Sequence, residues 1–437
     1  MSDSLPLPSG RSRRKKLESI PKSVIKKSIS TATKSRFSGK GSEIWENFRA
    51  ETASEIFNIL SELRGPALKI GQMLSVLEVG LPEDIAKPYR EKFMLLQDSV
   101  PPIPFRVVKK IIEKNLGDAA KDLSYLSETP VAAASIGQVH RGVYKGYDVA
   151  IKVQYPGIAE SINEDVKILR RYSKIFALIN NGIDFESVFD EIEASLLNEI
   201  DYHQEAIMQS RANRAYSEYD WIRVPNVIDS FDNVLISEYI DSTPLSKFIE
   251  SENQFEKNEI ALKLAKFHFS APDLCKFMHA DPHPGNFRVD SDGKLVVLDF
   301  GACKALPDGF PKPLISMLRY ALTDNSASLL DSFKQLGFIK EGTEIDPDDL
   351  LNFLAPLVVA LREDEFTYSR DWLLKENERI SDPRNPTSKL GFTLTLPSEY
   401  VLIHRVTLGM TAIFVQLNAT NRFRAEAVKY YPALAGD

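Results

Sequence analysis

His279-Ala280-Asp281-Pro282-His283-Pro284-Gly285-Asn286, followed by Asp299-Phe300-Gly301 at the end of an apolar run, carries the strongest chemical signal in the chain. Phosphoryl transfer asks for a carboxylate to orient the acceptor oxygen and for two oxygen ligands on the Mg²⁺ that neutralises the phosphates. The stretch supplies Asp281, an amide five residues later at Asn286, and a second carboxylate thirteen beyond that at Asp299. Residue types and spacings match the catalytic loop and Asp-Phe-Gly of protein kinases. On this reading Asp281 is the catalytic base, and Asn286 and Asp299 bind the metal. An isolated D-x-x-x-x-N arises easily by chance, but a correctly spaced Asp-Phe-Gly after a strand does not.

Upstream, Ala150-Ile151-Lys152 fits the kinase strand lysine that reaches nucleotide phosphates, and the apolar Val149, Ile151 and Val153 argue against a merely solvated lysine. Before it, where a phosphate-covering loop belongs, stand Ala132-Ala133-Ala134-Ser135-Ile136-Gly137-Gln138. Alanines replace most of the glycines that let backbone N–H groups approach phosphate. Such a loop is stiffer, its grip on phosphate is altered, and taken alone it reads more readily as a packed turn. Residues 139–144 and 147–154 are β-prone around Lys145-Gly146, which predicts a hairpin. Residues 234–240 read as an isolated strand, residues 158–215 as helical, and the chain from Leu245 as mostly helical. A short hairpin turned by Ser291-Asp292-Gly293 interrupts that helical part. Residues 43–128 read as a helical extension, with Ser42 a helix cap and Gly65-Pro66 a stop. The texture changes at Thr129. The expected division is therefore a basic tail (1–42), a helical extension (43–128), a β-containing lobe with inserted helices (129–240) and a helical lobe (241–437). This is an α+β, two-lobed kinase outline.

Two cysteines in 437 residues exclude a disulfide scaffold and a Cys-based metal site, and they suit a reducing compartment. No apolar run has the length and freedom from charge needed to span a bilayer; the best, residues 401–417, carries His404, Arg405 and Gln416. Residues 1–42 hold eleven Lys/Arg against Asp3 and Glu18, a balance of +9, which leaves −16 on the rest of a chain of net charge −7. So basic a tail reads as a solvated arm, as an attachment to anionic lipid, or as a mitochondrial transit peptide, although Asp3, Pro6 and Pro8 spoil an amphipathic helix at its start. The acidic body argues against nucleic acid as a partner. His140, His203, His268 and His404 lack metal-ligand spacing and read as structural.

Lys69-Ile70-Gly71-Gln72, the alanine-rich loop, Leu96-Gln97-Asp98-Ser99-Val100-Pro101-Pro102 and the 279–286 loop together resemble the UbiB (aarF-domain) atypical kinases, whose hallmarks are a KxGQ motif, an AAAS loop and HxDPHPGN. The resemblance covers about residues 55–420. It implies a two-lobed kinase-like fold whose N-terminal helical extension carries the KxGQ motif. It also implies ATP or ADP with Mg²⁺ as ligands and a role in isoprenoid-quinone biosynthesis or lipid homeostasis. The alanine loop (Ala132, Ala133, Ala134 and Ser135) would then lie on the nucleotide, and Glu238 and Ile240 would fall where hinge backbone meets adenine. Glu205 would pair with Lys152, with Glu199 the alternative. Glu199-Ile200-Asp201 would be the family's ExD motif, gating the site together with Lys69 and Gln72, and Lys69 would meet Glu199. Spacing alone makes Glu199, Asp201 and Glu205 a solvated acidic face.

The implied partners are a nucleotide, a lipid or quinone precursor, an anionic membrane surface and quinone-biosynthesis proteins. The implied location is cytoplasmic or peripheral on an inner membrane, in the mitochondrial matrix if the cell is eukaryotic. Ala280 departs from ordinary kinases, which place there an arginine that binds a phosphorylated activation segment, and no Ala-Pro-Glu follows Asp299-Phe300-Gly301. Two other readings stand beside this one: a small-molecule kinase of the aminoglycoside or choline type, and a nucleotide-gated lipid-binding module without catalysis.

Overall fold

The computed structural model describes residues 102–133, 136–171, 190, 193–194, 197–381, 385 and 390–435. The basic tail, the helices expected up to residue 101 with Lys69 and Gln72, and Ala134 and Ser135 lie outside these residues. The chain divides into two compact units, residues 1–100 with 157–193 and residues 101–156 with 194–437. Of the first unit the described part is chiefly one helix (α2, Ile158–Arg171), whose Arg170 bridges Asp190 and Glu193 at 2.5 Å each. Everything else described belongs to the second unit, a mixed α/β kinase-like fold.

That unit opens with α1 (Phe105–Leu116), whose Val108, Ile112 and Leu116 are buried at helical spacing. A sheet follows in the order β1-β3-β4-β7-β6, with β2 pairing β3. Its strands are β1 (Leu123–Leu126), β2 (Ala132–Ala133), β3 (Gly137–Tyr144), β4 (Tyr147–Gln154), β6 (Val227–Ser230) and β7 (Val234–Glu238). The β3–β4 hairpin turns on Lys145 and Gly146, both at positive φ (51° and 81°), as a tight turn matching strand twist demands. β4 is central, so Val149, Ile151 and Val153 are fully buried on one face while Lys152 points from the other. β7 is not isolated: it lies between β4 and β6, whose Asp229-Ser230 end breaks the alternation that would reveal it. β1 already pairs with β3 ahead of the change of texture at Thr129.

The strand β5 (Ile222–Arg223) joins β8 (Ser242–Pro244), β10 (Phe287–Asp290) and β11 (Leu295–Val297) in a second sheet, ordered β5-β11-β10-β8. Helices α3 (Tyr202–Tyr216), α4 (Leu245–Glu250) and α5 (Gln254–Leu274) precede the short strand β9 (Phe277–His279), which pairs with β12 (Cys303–Ala305). α6 (Lys312–Leu322), α7 (Ser326–Gln335), α8 (Pro347–Arg362), α9 (Arg370–Ser381), α10 (Leu390–Thr393), α11 (Ser398–Gln416) and α12 (Phe423–Tyr430) complete the helical part. α5 buries Ile260, Leu264 and Phe267, and around it Phe277, Phe287 and Phe300 are almost wholly enclosed. Burying each such ring is worth about 1.5–3 kcal/mol. This aromatic core supports both ends of the 279–301 stretch.

Candidate active site

Lys152 Nζ lies 2.8 and 2.9 Å from the two carboxylate oxygens of Glu205 and 3.1 Å from Asp299 Oδ1. The side chains of Lys152 and Glu205 are 12% and 2% exposed, so these bonds operate away from bulk solvent. Lys152 Nζ also stands 5.3 Å from the centre of the Tyr202 ring, a cation–π distance. Burial alone would lower the lysine, but the carboxylates of Asp299 and Glu205 outweigh it and hold Lys152 well above an ordinary lysine. Burial pushes Glu205 up to about 7, against the pull of Lys152.

α3 delivers Glu205 by ordinary helix grammar. Asp201 is its N-cap, and its Oδ1 accepts from the backbone N–H groups of His203 and Gln204 at 3.0 Å. Tyr202, Glu205, Ala206, Gln209, Ala212 and Tyr216 then form the buried face. Gln154 donates to the Ile200 carbonyl at 2.8 Å and accepts from Asn233 at 2.8 Å, fixing the segment that enters the helix. Spacing alone makes Glu199, Asp201 and Glu205 a solvated face, but Glu199 and Glu205 are buried, at 1% and 2% exposure, as the family resemblance implies for a site residue, and Asp201 is half-buried as the helix cap. Glu199 packs against Gly301, where an added Cβ would sit 3.4 Å from its Cα and Cγ.

The loop 279–286 is held at both ends. Ala280 N–H donates to the Ala302 carbonyl at 2.7 Å, and Leu298 N–H donates to the Asn286 carbonyl at 2.8 Å. Within it, Asn286 Nδ2 donates to the Asp281 carbonyl at 3.1 Å and to Asp281 Oδ2 at 2.9 Å. His279 lies edge-on to Phe300 and bonds the Leu298 carbonyl at 3.2 Å, and burial lowers its pKa. Asp299 adopts φ +58°, a left-handed conformation uncommon outside glycine, and its Oδ1 accepts from both Lys152 and Gly301 N–H.

Other sequence-identified residues lie in β2, at the end of β7 and just after it. Ala132 and Ala133 form β2, opposite Val139 and Gln138. Glu238 ends β7, binds Arg223 at 2.5 Å and donates its N–H to the Asn226 carbonyl, while the Ile240 carbonyl accepts from Ser242 Oγ at 3.0 Å. Two neighbours of the site were not singled out from sequence, Tyr202 and Arg405. Arg405 Nη2 lies 3.5 Å from Asp281 Oδ1. Its only signal was a charge inside an otherwise apolar run. Four carboxylates (Glu199, Glu205, Asp281, Asp299) thus face two cations (Lys152, Arg405) among the described residues, a surplus that suits a cation-dependent anion site.

The ABC1 atypical kinase-like domain family matches residues 95–333. Among curated relatives, the mitochondrial atypical kinase COQ8B of Danio rerio is 32% identical over 322 residues, 71% of this chain and 51% of its own length. The chloroplastic protein ACTIVITY OF BC1 COMPLEX KINASE 1 of Arabidopsis thaliana is 28% identical over 393 residues, 86% of this chain and 55% of its own. The chain thus spans about half the length of the curated relatives it matches. A solved structure of Rv3197 from Mycobacterium tuberculosis, in complex with erythromycin, aligns with a TM-score of 0.68 at 32% identity, covering 89% of this chain and 97% of that one.

Proposed function

The chain belongs to the ABC1, or UbiB, family of atypical kinase-like proteins, and from that premise we propose that it is an ATP-dependent phosphotransferase or ATPase supporting isoprenoid-quinone or lipid metabolism. The observation that carries the proposal is the buried Lys152–Glu205–Asp299 cluster beside a hydrogen-bonded Asp281–Asn286 pair. Lys152 binds the inner phosphates of ATP, as the strand lysine of kinases does. Asp281 takes the proton of the attacking water or hydroxyl while that oxygen bonds to the terminal phosphorus and the bond to ADP breaks.

Asn286 donates through Nδ2, which leaves Oδ1 as its ligand atom, and with Asp299 it would hold Mg²⁺. Bound there, the ion would neutralise charge on the phosphates. Among the described residues no group of three or more His, Cys, Asp or Glu is arranged to hold a metal. Backbone around Glu238 and Ile240 receives the adenine, and the alanine loop 132–135 covers the phosphates. Lys69, Gln72 and Glu199 gate the cleft; for Asp201 the helix cap is the role its geometry supports. A lipid or quinone precursor and an anionic membrane surface are the partners. No helix among the described residues is long and apolar enough to cross a membrane.

Thermal shift tests the core of this reading, since a ligand of the native state raises apparent stability. ADP or ATP with Mg²⁺ should raise the melting temperature of the wild type, and Asp299→Asn should lose the Mg²⁺-dependent part. A full Mg²⁺-dependent shift in that variant would refute the metal assignment. Purification with bound lipid retained, followed by mass spectrometry, tests the lipid or quinone ligand.

A further inference from the structure

α11 is apolar along most of its length, burying Val401, Leu402, Ile403, Val406, Met410, Ile413 and Phe414, yet Arg405 sits among them at 8% exposure. A buried guanidinium is costly unless its charge and its donors are met. Here they are met poorly. Nη2 reaches Asp281 Oδ1 at 3.5 Å, longer than a charge-assisted hydrogen bond, and Nη1 is buried with no hydrogen-bond partner among the described residues. Burial pulls the Arg405 pKa down while the charges of Asp281 and Glu199 oppose it.

The placement is enforced by a second feature of the helix. Gly409 lies one turn beyond Arg405, on the same face, and a Cβ added there would overlap the Pro282 ring. Its missing side chain lets α11 lie directly on the catalytic loop, which sets Arg405 beside Asp281. The loop 279–286 itself holds no Lys or Arg, and Lys152 is already taken by two carboxylates. Among the described residues, Arg405 is therefore the basic side chain available to charge that develops next to Asp281.

We propose that Arg405 is a phosphoryl-recognition residue: Nη2, the nitrogen that faces Asp281, steers that carboxylate and donates to an oxygen of the phosphoryl group being transferred. The proposal rests on the phosphotransfer reading above. The 3.5 Å contact shortens when substrate is bound, as catalytic hydrogen bonds commonly do on leaving the apo state.

The test uses the full chain with Arg405→Met, Arg405→Lys and Gly409→Ala, measuring ATP turnover, ATP and ADP binding by calorimetry, and thermal melting. Losing one preorganised donor to a transferring group costs about 10²–10³ in rate, so Arg405→Met should lower kcat by that order. It should weaken ATP while leaving ADP affinity unchanged, because ADP lacks the transferred group. Arg405→Lys keeps the charge but not the planar fork and should recover part of the rate. Gly409→Ala, which pushes the helix off Pro282, should lower kcat in the same way. If Arg405→Met does not fold, Arg405→Lys carries the comparison. Equal weakening of ATP and ADP with kcat unchanged would reduce Arg405 to a structural residue and overturn the inference. A wild type that neither binds nor hydrolyses ATP would sink the functional reading first, and this inference with it.

Discussion

Lys152 is gripped by two carboxylates in a pocket that admits little water, so the effect of removing it depends on which of them can shed its charge. Truncating one partner of a buried pair ordinarily costs about 3–5 kcal/mol because the other charge is stranded. Glu205 offers an escape, since burial already pushes it up to about 7. In Lys152→Met the opposing lysine is gone and Glu205 rises further, holding its proton at neutral pH. An acid raised above its unfolded value of 4.5 gives the folded state the greater proton uptake, so stability is greatest below that value and falls as pH rises through the folded one. In the wild type that fall from Glu205 ends near 7, whereas in the variant it continues. Denaturant melts at about pH 6 and about pH 8.5 should therefore show a deficit for Lys152→Met that is larger at the higher pH. Adding Glu205→Gln should flatten the difference. A deficit independent of pH would mean that Glu205 is not the group compensating for the lost lysine. ATP turnover should be lost in either variant.

At the scale of elements, legibility followed the strength of local signals. The β3–β4 hairpin was plain because Lys145-Gly146 separates two β-prone runs, and the second hairpin because Ser291-Asp292-Gly293 punctuates it. Strands of two to four residues such as β1, β5, β8 and β9 carry too little pattern to show a period, and only pairing with distant partners creates them. Arg405 lay hidden for the opposite reason: α11 looks like an apolar core helix, and nothing local tells which loop it faces. A similar long-range tie joins the start of the unit to its sheet. Gln138 Oε1 accepts from Ile103 N–H at 2.8 Å, Gln138 Nε2 meets His140 Nε2 at 2.8 Å, and His140 Nδ1 meets the Ser127 carbonyl at 2.7 Å. An amide nitrogen donates to Nε2 and a carbonyl accepts from Nδ1, so His140 is the neutral Nδ1–H tautomer. Burial lowers its pKa below 6.5. The unfolded chain then binds a proton that the folded one refuses, so the stability His140 supports is present above pH 6.5 and is lost as pH falls. Hydrogen exchange should show the Ile103 amide losing protection on acidification. His140→Asn should bind up to one proton fewer on acid unfolding. An unchanged pH slope in that variant would show that His140 does not report on this junction.

Taken whole, the chain is electrically divided, with +9 on residues 1–42 and −16 on the remainder. This was fully legible, because charge is counted rather than folded, and the described residues neither add to it nor correct it. Each basic residue close to an anionic membrane is worth about 1 kcal/mol, and the attraction fades within a Debye length of about 10 Å at 0.1 M salt. The tail is thus drawn to such a surface and the body repelled by it, so deletion of residues 1–42 should do more than weaken binding. It should reverse the lipid preference. The full chain should cosediment better with vesicles containing phosphatidylserine than with purely zwitterionic ones, and added salt should erase the difference. The truncated chain should bind the phosphatidylserine vesicles less well than the zwitterionic ones, and there added salt should help rather than hinder. The paired signs matter, because apolar surface elsewhere on the protein would give both vesicle types the same salt-insensitive binding. Full-length protein that binds the two equally, or a truncation that keeps the anionic preference, would remove the tail from the membrane contact and return it to a solvated arm.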